Sequence, residues 1–203
     1  AGERERLPSA AGAPQKGSKE GAGGWYCGGA LILEPFKKNT APAILASALI
    51  KEIPMSQPLV LLSSDNLIGK VNIFNKAIYK HSKYLTNNNI FIFGIKPISP
   101  SSEYGYFLSK KVNNNIHKVK KFIEKPNKSK VKTILKQKGY MNAGMFYARK
   151  DSLIKNFKDN QFSIYKNCLE SLRSSVIKKN VYYLNKSHYK NIKEISFDYA
   201  ILE

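Results

Sequence analysis

Hydrophobic and polar residues after position 30 alternate between helical spacing and short apolar runs. Between residues 39 and 49 the apolar positions recur at intervals of three and four, which predicts an amphipathic helix; they are Ala41, Ile44, Leu45, Ala48 and Leu49. Asn39 or Thr40 can cap this helix, and Pro42 suits its first turn.

Two continuous apolar runs, residues 58–62 and 90–93, are typical of strands buried on both faces of a sheet. Between them, apolar residues fall broadly on one side of a second helix; they are Val71, Phe74, Ala77, Ile78 and Tyr84. Strand, helix and strand in this order form a βαβ unit, so we predict that the two strands are parallel.

The rest of the chain continues this alternation. We predict a loop at residues 99–102, strands at 118–123, 142–148 and 181–184, and helices at 129–138 and 164–178. The order of elements predicts an α/β fold with a doubly wound, mostly parallel sheet.

Composition divides the chain near residue 30. The first 30 residues contain no Ile, Asn or Val, whereas residues 31–203 contain 28 Lys, 18 Asn and 20 Ile. The head has no apolar period, so we predict a disordered or foreign segment at 1–30 and the folded domain at 31–203. A natural flexible tail is the alternative for the head.

The chain carries a formal net charge of +20, and its isoelectric point is about 9.8. Taken alone, this charge suggests an anionic partner such as nucleic acid or a phosphorylated substrate. Lys, Asn and Ile share A/T-rich codons, however, so much of the excess reflects genome composition, and we expect no specific nucleic-acid partner. No apolar run reaches 18 residues, so we expect no membrane partner.

Cysteine and histidine offer little chemistry. Cys27 and Cys168 are too few for a disulfide scaffold or a multi-cysteine zinc site. Cys168 lies in a helical apolar pattern, which favours a core position over a nucleophile. The three histidines are far apart and lack metal-ligand spacing.

Polar residues at the predicted strand ends are better candidates, because ligands bind beyond the carboxyl ends of strands in open α/β sheets. Asp65 follows the first buried strand and could hold Mg²⁺, or it could cap the next helix. Glu124 and Lys125 could bind a sugar hydroxyl and a phosphate together, or they could be ordinary surface charges.

Two further segments combine glycine with polar groups. Asn142 offers two donors and one acceptor, and Gly144 beside it permits close approach of a ligand to the backbone. Gly105 between two tyrosines is similar, or it forms a turn. Each of these signals is weak by itself.

Taken in order, these segments resemble those of mannose-1-phosphate guanylyltransferases. They are L-E-P-F-K-K-N-T-A-P-A from residue 33, S-S-D-N from 63, F-G-I-K-P from 93 followed by E-Y-G-Y from 103, F-I-E-K-P from 122, N-A-G-M-F from 142 and I-S-F-D-Y-A from 195. Six segments in register are a much stronger signal than any one of them, and they extend over residues 31–203.

The resemblance implies a sheet of the nucleotidyltransferase (Rossmann-like) type and transfer of a guanylyl group from GTP to mannose 1-phosphate. The products would be GDP-mannose and pyrophosphate, and the cofactor would be Mg²⁺. It also implies a cytoplasmic location and is compatible with a homo-oligomer of the intact enzyme.

The resemblance assigns roles residue by residue. Asp65 and Lys125 would be catalytic, Asp65 as the Mg²⁺ ligand and Lys125 as the charge that neutralises the sugar phosphate. The sugar subsite would comprise Gly105, Glu124, Lys125, Asn142 and Gly144. The nucleotide subsite would comprise Glu34, Lys38, Asn39 and Thr40, with Glu34 accepting hydrogen bonds from guanine. Asp198 matches the family pattern and receives no role beyond support of the site.

Departures from the family pattern limit this expectation. The glycine-rich phosphate loop that should precede residue 31 is absent, and the family's W-S-D-V-G-S-W segment does not appear. Lys38 replaces the usual Arg, and Met141 replaces the usual Trp. We therefore expect residues 31–203 to form an incomplete nucleotidyltransferase domain, inactive as a fragment.

Other functions stay open at this point. A related enzyme could use another sugar 1-phosphate or another base. A non-catalytic protein could bind a sugar nucleotide and regulate, or the basic surface could bind nucleic acid.

Overall fold

The computed structural model describes residues 29–113 and 116–203. The strands are β1 (Leu31–Leu33), β2 (Pro58–Leu61), β3 (Ile90–Ile95), β4 (Tyr106–Asn113), β5 (Ile116–Ile123), β6 (Tyr140–Arg149), β7 (Val176–Lys178) and β8 (Val181–Tyr183). The helices are α1 (Thr40–Ala48), α2 (Val71–His81), α3 (Lys128–Lys136), α4 (Lys150–Asn160), α5 (Phe162–Arg173) and α6 (Lys186–Lys190), with a 3₁₀ turn at Ser82–Tyr84 and a π-helix at Asp198–Leu202. Residues 1–28 of the predicted head, including Cys27, lie outside the described residues.

Strand β6 is the centre of the larger sheet. It pairs antiparallel with β2, β3 and β4, and β4 pairs antiparallel with β5. Ala148 of β6 is opposite Leu59 of β2 and also opposite Ile90 of β3. Since a residue has one partner on each side, β2 and β3 lie on opposite sides of β6.

The expectation of a mostly parallel sheet is not confirmed, because every pair in this five-stranded sheet is antiparallel. Strands β2 and β3 do run in the same direction, as the βαβ pattern predicted, but they are not neighbours. The physical reason is that β6, far away in sequence, lies between them and takes the hydrogen bonds of both. Among the described strands, the parallel pair is β1 with β8, and β7 completes that small sheet.

Helices cover both faces of the larger sheet, so the fold is a mixed α/β fold built around an antiparallel sheet. Phe146 and Ala148 of β6 pack into the core formed with α1, α4 and α5, whereas Tyr147 between them packs with Ile78 of α2 on the opposite face. This alternation follows from the two-residue period of a strand. A smaller apolar cluster joins α3 to β4 and β5.

A local capping signal sets the start of α1, as predicted. Asn39 caps α1, its side chain accepting a hydrogen bond of 2.8 Å from the backbone N–H of Thr40, and Pro42 lies in the first turn. The capping signal works because a side-chain oxygen satisfies a helix N–H that has no partner within the helix.

The predicted end of one helix is wrong, and the elements β4 and α4 were not predicted. The predicted helix 164–178 ends at Arg173, because residues 176–178 leave it to pair with β8. Strand β4 was not predicted, since its polar and lysine-rich sequence hides the pairing with β5 that defines it. Helix α4 was not predicted either; polar and charged residues surround its few buried apolar residues, Leu153, Ile154 and Phe157.

Candidate active site

Four of the predicted sugar-subsite residues lie together at the ends of β4, β5 and β6. The backbone N–H of Asn142 donates to the carbonyl of Gly105 at 2.8 Å, and the backbone N–H of Gly144 donates to the Oδ1 of Asn142 at 3.2 Å. Glu124 follows β5 directly and contacts Gly105. Pairing of β4 with both β5 and β6 therefore assembles the cluster.

The space around position 105 has no room for a side chain, so a glycine is required there. A Cβ placed on it would clash with Oε2 of Glu124 and with the ring of Phe122, which lies only 2.9 Å away. Gly144 is required for a different reason. Its φ of +66° is in the left-handed region, although a Cβ there would meet no atom within 4 Å.

Asp198 joins this cluster from the π-helix near the end of the chain. Its Oδ1 accepts a hydrogen bond of 2.7 Å from Nδ2 of Asn142. Burial raises the pKa of Asp198, and its hydrogen bonds and the charge of Lys125 oppose that rise. Asp198, to which the resemblance assigned no role beyond support of the site, thus makes a direct contact with a predicted site residue.

Glu124 has an unusual charge environment. Burial, followed by the negative charges of Asp198 and Glu203, raises the pKa of Glu124 to about 7 against the opposing charge of Lys125. The carboxyl is therefore divided between its neutral and charged forms near neutral pH. A group of this kind can accept a hydrogen bond from a sugar hydroxyl when it is charged, or donate one to it when it is protonated.

Lys125 has a strained backbone. Its φ is +43°, a left-handed conformation that residues with a side chain adopt only at a cost, and Pro126 follows it. The side chain is exposed. Strain of this kind accumulates where a side chain must be aimed at a particular place, so the backbone is consistent with a positioned charge next to Glu124.

The predicted nucleotide segment, residues 34–40, is held by the chain near α6. The hydroxyl of Tyr189 donates to Oε1 of Glu34, and Nζ of Lys38 donates to the carbonyl of Lys190 at 3.0 Å. Thr40 Oγ1 accepts from the backbone N–H of Phe197 at 2.9 Å. The segment therefore reaches the same C-terminal stretch that carries Asp198.

Asn39 in this segment has φ +69° and ψ −171°, a combination found almost exclusively in glycine. Two of the four non-glycine residues with positive φ in the described chain, Asn39 and Lys125, thus belong to the predicted site. No sequence signal indicated this strain.

Asp65 is not brought into the cluster by any contact in the described residues. It lies exposed in the turn after β2, where Asn66 Oδ1 accepts from the backbone N–H of Ser63 at 2.9 Å. Within residues 29–113 and 116–203 its carboxylate has no hydrogen bond or ion pair, and no group of three or more His, Cys, Asp or Glu side chains is placed to hold a metal. It does not cap α2, whose first residue follows Lys70 without a side-chain cap.

Cys168 is confirmed as a core residue. It is fully buried on α5, and burial, with the charge of Glu34, raises the pKa of its thiol to about 12. Sequence reasoning missed its neighbour Tyr189, which is also fully buried and lies 155 residues from its partner Glu34. Burial raises the pKa of the Tyr189 phenol, and Glu34 raises it further.

A cavity of about 680 Å³ lies between α2, β3 and the β4–β5 hairpin. Aromatic and aliphatic side chains line much of it, and it contains none of the predicted site residues. The cluster around Asn142 is therefore identified by its polar contacts and not by the size of a cavity.

In the described chain no helix is both long and apolar enough to span a membrane.

Comparison with known proteins is consistent with this geometry. The family model for nucleotidyl transferases matches residues 15–194. Mannose-1-phosphate guanylyltransferase of Escherichia coli is 32% identical over 182 residues, covering 85% of this chain, and the alginate biosynthesis protein AlgA of Pseudomonas aeruginosa is 28% identical over 180 residues, covering 86%. The chain spans only 39% and 37% of these two relatives.

Solved structures show the same fold. A structure described as mannose-6-phosphate isomerase from Helicobacter pylori superposes with a TM-score of 0.74 at 29% identity, over 85% of this chain and 67% of that one. A Thermus thermophilus structure described as mannose-1-phosphate geranyltransferase gives 0.71 at 22% identity, over 84% of this chain and 49% of that one. On the family match over most of its length, the chain belongs to the nucleotidyl transferase family.

Proposed function

We propose that this chain carries the sugar-phosphate subsite of an enzyme that transfers a guanylyl group from GTP to mannose 1-phosphate. A phosphate oxygen of the sugar phosphate attacks the α-phosphorus of GTP. The bond between that phosphorus and the oxygen bridging to the β-phosphate breaks, and pyrophosphate leaves with that oxygen. The observation that carries the proposal is the cluster of Gly105, Glu124, Asn142 and Asp198 beside the exposed cation Lys125.

The cluster suits a sugar phosphate because it combines two kinds of group. Glu124 and Asn142 offer donors and acceptors for hydroxyls, and Lys125 supplies a positive charge for a phosphate. Nucleotidyl transfer needs positioning and charge neutralisation more than covalent chemistry from the protein. These residues therefore have the chemistry that one substrate of the reaction requires.

For Mg²⁺, we propose Asp65 as the protein ligand. Its support is an exposed carboxylate without a partner in the described chain. Protein sites for Mg²⁺ often use one or two carboxylates and complete the shell with substrate phosphates and water, which fits the lack of a closed acidic cluster. When bound, the ion would neutralise charge on the phosphates.

Glu34 is proposed to select guanine, which presents an N1–H and a 2-amino group where adenine has no such donors. One oxygen of Glu34 already accepts from Tyr189, and Oε2 has no hydrogen-bond partner among the described residues. Glu34→Gln should reduce the preference for GTP over ATP in a nucleotide-binding assay. An unchanged preference would show that Glu34 does not read the base.

The sugar subsite is tested on the chain 1–203 by calorimetric titration with mannose 1-phosphate, at an ionic strength of about 0.15 M where long-range charge attraction is screened. We expect binding that exceeds that of inorganic phosphate and falls about tenfold in Asn142→Ala, the size of one lost charge-assisted hydrogen bond. Glu170→Gln, on α5 where Glu170 is half-buried and paired with Arg173, is the control and should bind normally. Equal binding of mannose 1-phosphate and inorganic phosphate would show that the chain binds the phosphate charge and not the sugar ring. That result would reject the sugar subsite.

Turnover is a separate prediction. The glycine-rich phosphate loop is absent from this sequence, so we expect the chain to bind mannose 1-phosphate but to form little GDP-mannose from it. Synthesis at a rate near that of the full-length relatives would overturn the prediction of an inactive fragment. The cytoplasmic location and the oligomeric state of an intact enzyme stay predictions.

A further inference from the structure

Asp198 and Asn142 lie 56 residues apart in sequence and share a hydrogen bond of 2.7 Å. Asn142 is buried and sits on the central strand β6, whereas Asp198 begins the π-helix at Asp198–Leu202. The contact therefore ties the last described element to the centre of the candidate site.

The contact determines which way the Asn142 amide points. A carboxylate only accepts hydrogen bonds, so the NH₂ end of Asn142 must face Asp198. The carbonyl end then faces the backbone N–H of Gly144, which donates to it at 3.2 Å. One N–H of Nδ2 and one lone pair of Oδ1 have no hydrogen-bond partner among the described residues.

Asp198 also acts on Glu124 through charge. The groups around Glu124 are Asp198 and Glu203, which favour its protonated form, and Lys125, which favours its charged form. Two carboxylates that share a small volume do not both ionise easily. Asp198 therefore influences both groups that would hold the sugar.

We propose that Asp198 is a positioning residue of the sugar subsite, which fixes the orientation of the Asn142 amide and places a negative charge beside Glu124. This inference rests on the proposed function and deepens it. The subsite then presents one oriented donor, one acceptor and a carboxyl that adapts its proton to the hydroxyl it meets. Such a set suits a neutral polyhydroxyl ring whose phosphate lies at Lys125.

Two substitutions separate the two effects. Asp198→Asn removes the charge, but its side-chain carbonyl can still accept from Asn142 Nδ2. Asp198→Ala removes both the charge and the acceptor. Asp159→Asn, an exposed residue of α4, is the matched control, and circular dichroism shows whether each variant is folded.

The first measurement needs no sugar. The carboxyl carbon of Glu124 is titrated by NMR, and its midpoint should lie near 7 in the wild-type chain and fall in both Asp198 variants. The side-chain NH₂ signals of Asn142 should keep their position in Asp198→Asn and shift in Asp198→Ala. An unchanged Glu124 midpoint in both variants would overturn the proposal.

The second measurement is the titration with mannose 1-phosphate from pH 6 to pH 8. The titration of the substrate's own phosphate is common to all chains, so differences between variants report on the protein. We expect Asp198→Ala to lose about tenfold in affinity at every pH and Asp198→Asn to keep its affinity with a flatter pH dependence. Equal affinity of Asp198→Ala and wild type would reject the positioning role. A wild-type chain that binds no sugar phosphate would instead reject the proposed function, while the NMR result would still stand.

Discussion

The phenol of Tyr189, which is fully buried, donates a hydrogen bond to the carboxylate of Glu34 across 155 residues of sequence. The bond fixes the segment that follows β1 against α6. Because Oε1 of Glu34 already accepts this hydrogen bond, the contact limits the ways in which Glu34 can hydrogen-bond to a nucleotide base.

Replacing Tyr189 by Phe tests this contact. The change keeps the ring and removes the hydroxyl, so we expect the free energy of unfolding to fall by about 1.5–3 kcal/mol, the contribution of a hydrogen bond to a charged group. Urea denaturation of the chain measures it. Tyr79→Phe removes a hydroxyl from a side chain that is 71% exposed and should have no effect. A loss as small as that of the control would show that the bond contributes nothing to stability.

Gly105→Ala should damage the sugar subsite. The new Cβ would overlap Oε2 of Glu124 and the ring of Phe122, so we expect Glu124 to move and stability to fall by about 1–3 kcal/mol, the usual cost of overpacking. Mannose 1-phosphate binding, measured by calorimetry, should fall with it.

Gly69→Ala is the matched control for this change, because a Cβ there meets nothing within 4 Å and its φ is not in the left-handed region. Its stability and binding should equal those of the wild type. If Gly105→Ala bound the sugar phosphate as well as Gly69→Ala does, Glu124 would not be a contact of the sugar.

Lys150 is a buried cation without a carboxylate partner among the described residues. Its Nζ donates to the carbonyl of Ile50 at 2.6 Å and to that of Ile53 at 2.8 Å, and only 4% of the residue is exposed. Burial lowers the pKa of its ammonium group. The two hydrogen bonds hold the loop before β2 to the start of α4.

Lys150→Met fills a similar volume but removes both hydrogen bonds. The carbonyl of Ile50 then keeps only the backbone N–H of Ile53, at 3.4 Å, and that of Ile53 loses the donor found for it among the described residues. We expect a loss of about 2–4 kcal/mol in the free energy of unfolding, since hydrogen bonds to a charged group contribute about 1.5–3 kcal/mol each and partly overlap here. Lys166→Met, on the exposed side of α5, is the control for loss of a positive charge. Thermal denaturation that shifts equally in both variants would contradict a specific role for Lys150.

Glu124 predicts a pH dependence of stability. Its pKa is about 7 in the folded chain against a usual 4.5, so the folded state binds more protons than the unfolded state between these values. The contribution of Glu124 to stability is therefore greatest below about pH 4.5 and is lost as the pH rises towards 7.

Glu124→Gln removes this titration. The difference in unfolding free energy between the variant and the wild type should move in favour of the variant from pH 5 to pH 8, measured by urea denaturation at several pH values. Glu170→Gln should show a constant difference over the same range. A constant difference for Glu124→Gln as well would mean that Glu124 titrates as an ordinary surface carboxyl.

Local sequence predicted the elements whose signals are local. Helix α1 begins where the Asn39 cap indicates, and the apolar runs before and after α2 are the strands β2 and β3, although these strands are half-buried and not buried on both faces as predicted. Glycine and polar residues at strand ends also indicated Gly105, Glu124 and Asn142, and the structure brings these three together. These features depend on side-chain period, capping and burial, which a short stretch of sequence determines.

The tertiary structure decided which strands are neighbours and which side chains meet. Nothing local in residues 140–149 places β6 between β2 and β3, and lysines in β4 mask a strand that exists because β5 pairs with it. The contacts of Tyr189 with Glu34 and of Asn142 with Asp198 join residues 155 and 56 positions apart. Hydrogen bonds and charges over such separations arise only when the whole core packs, because the free energy that holds them comes from burial shared by distant segments.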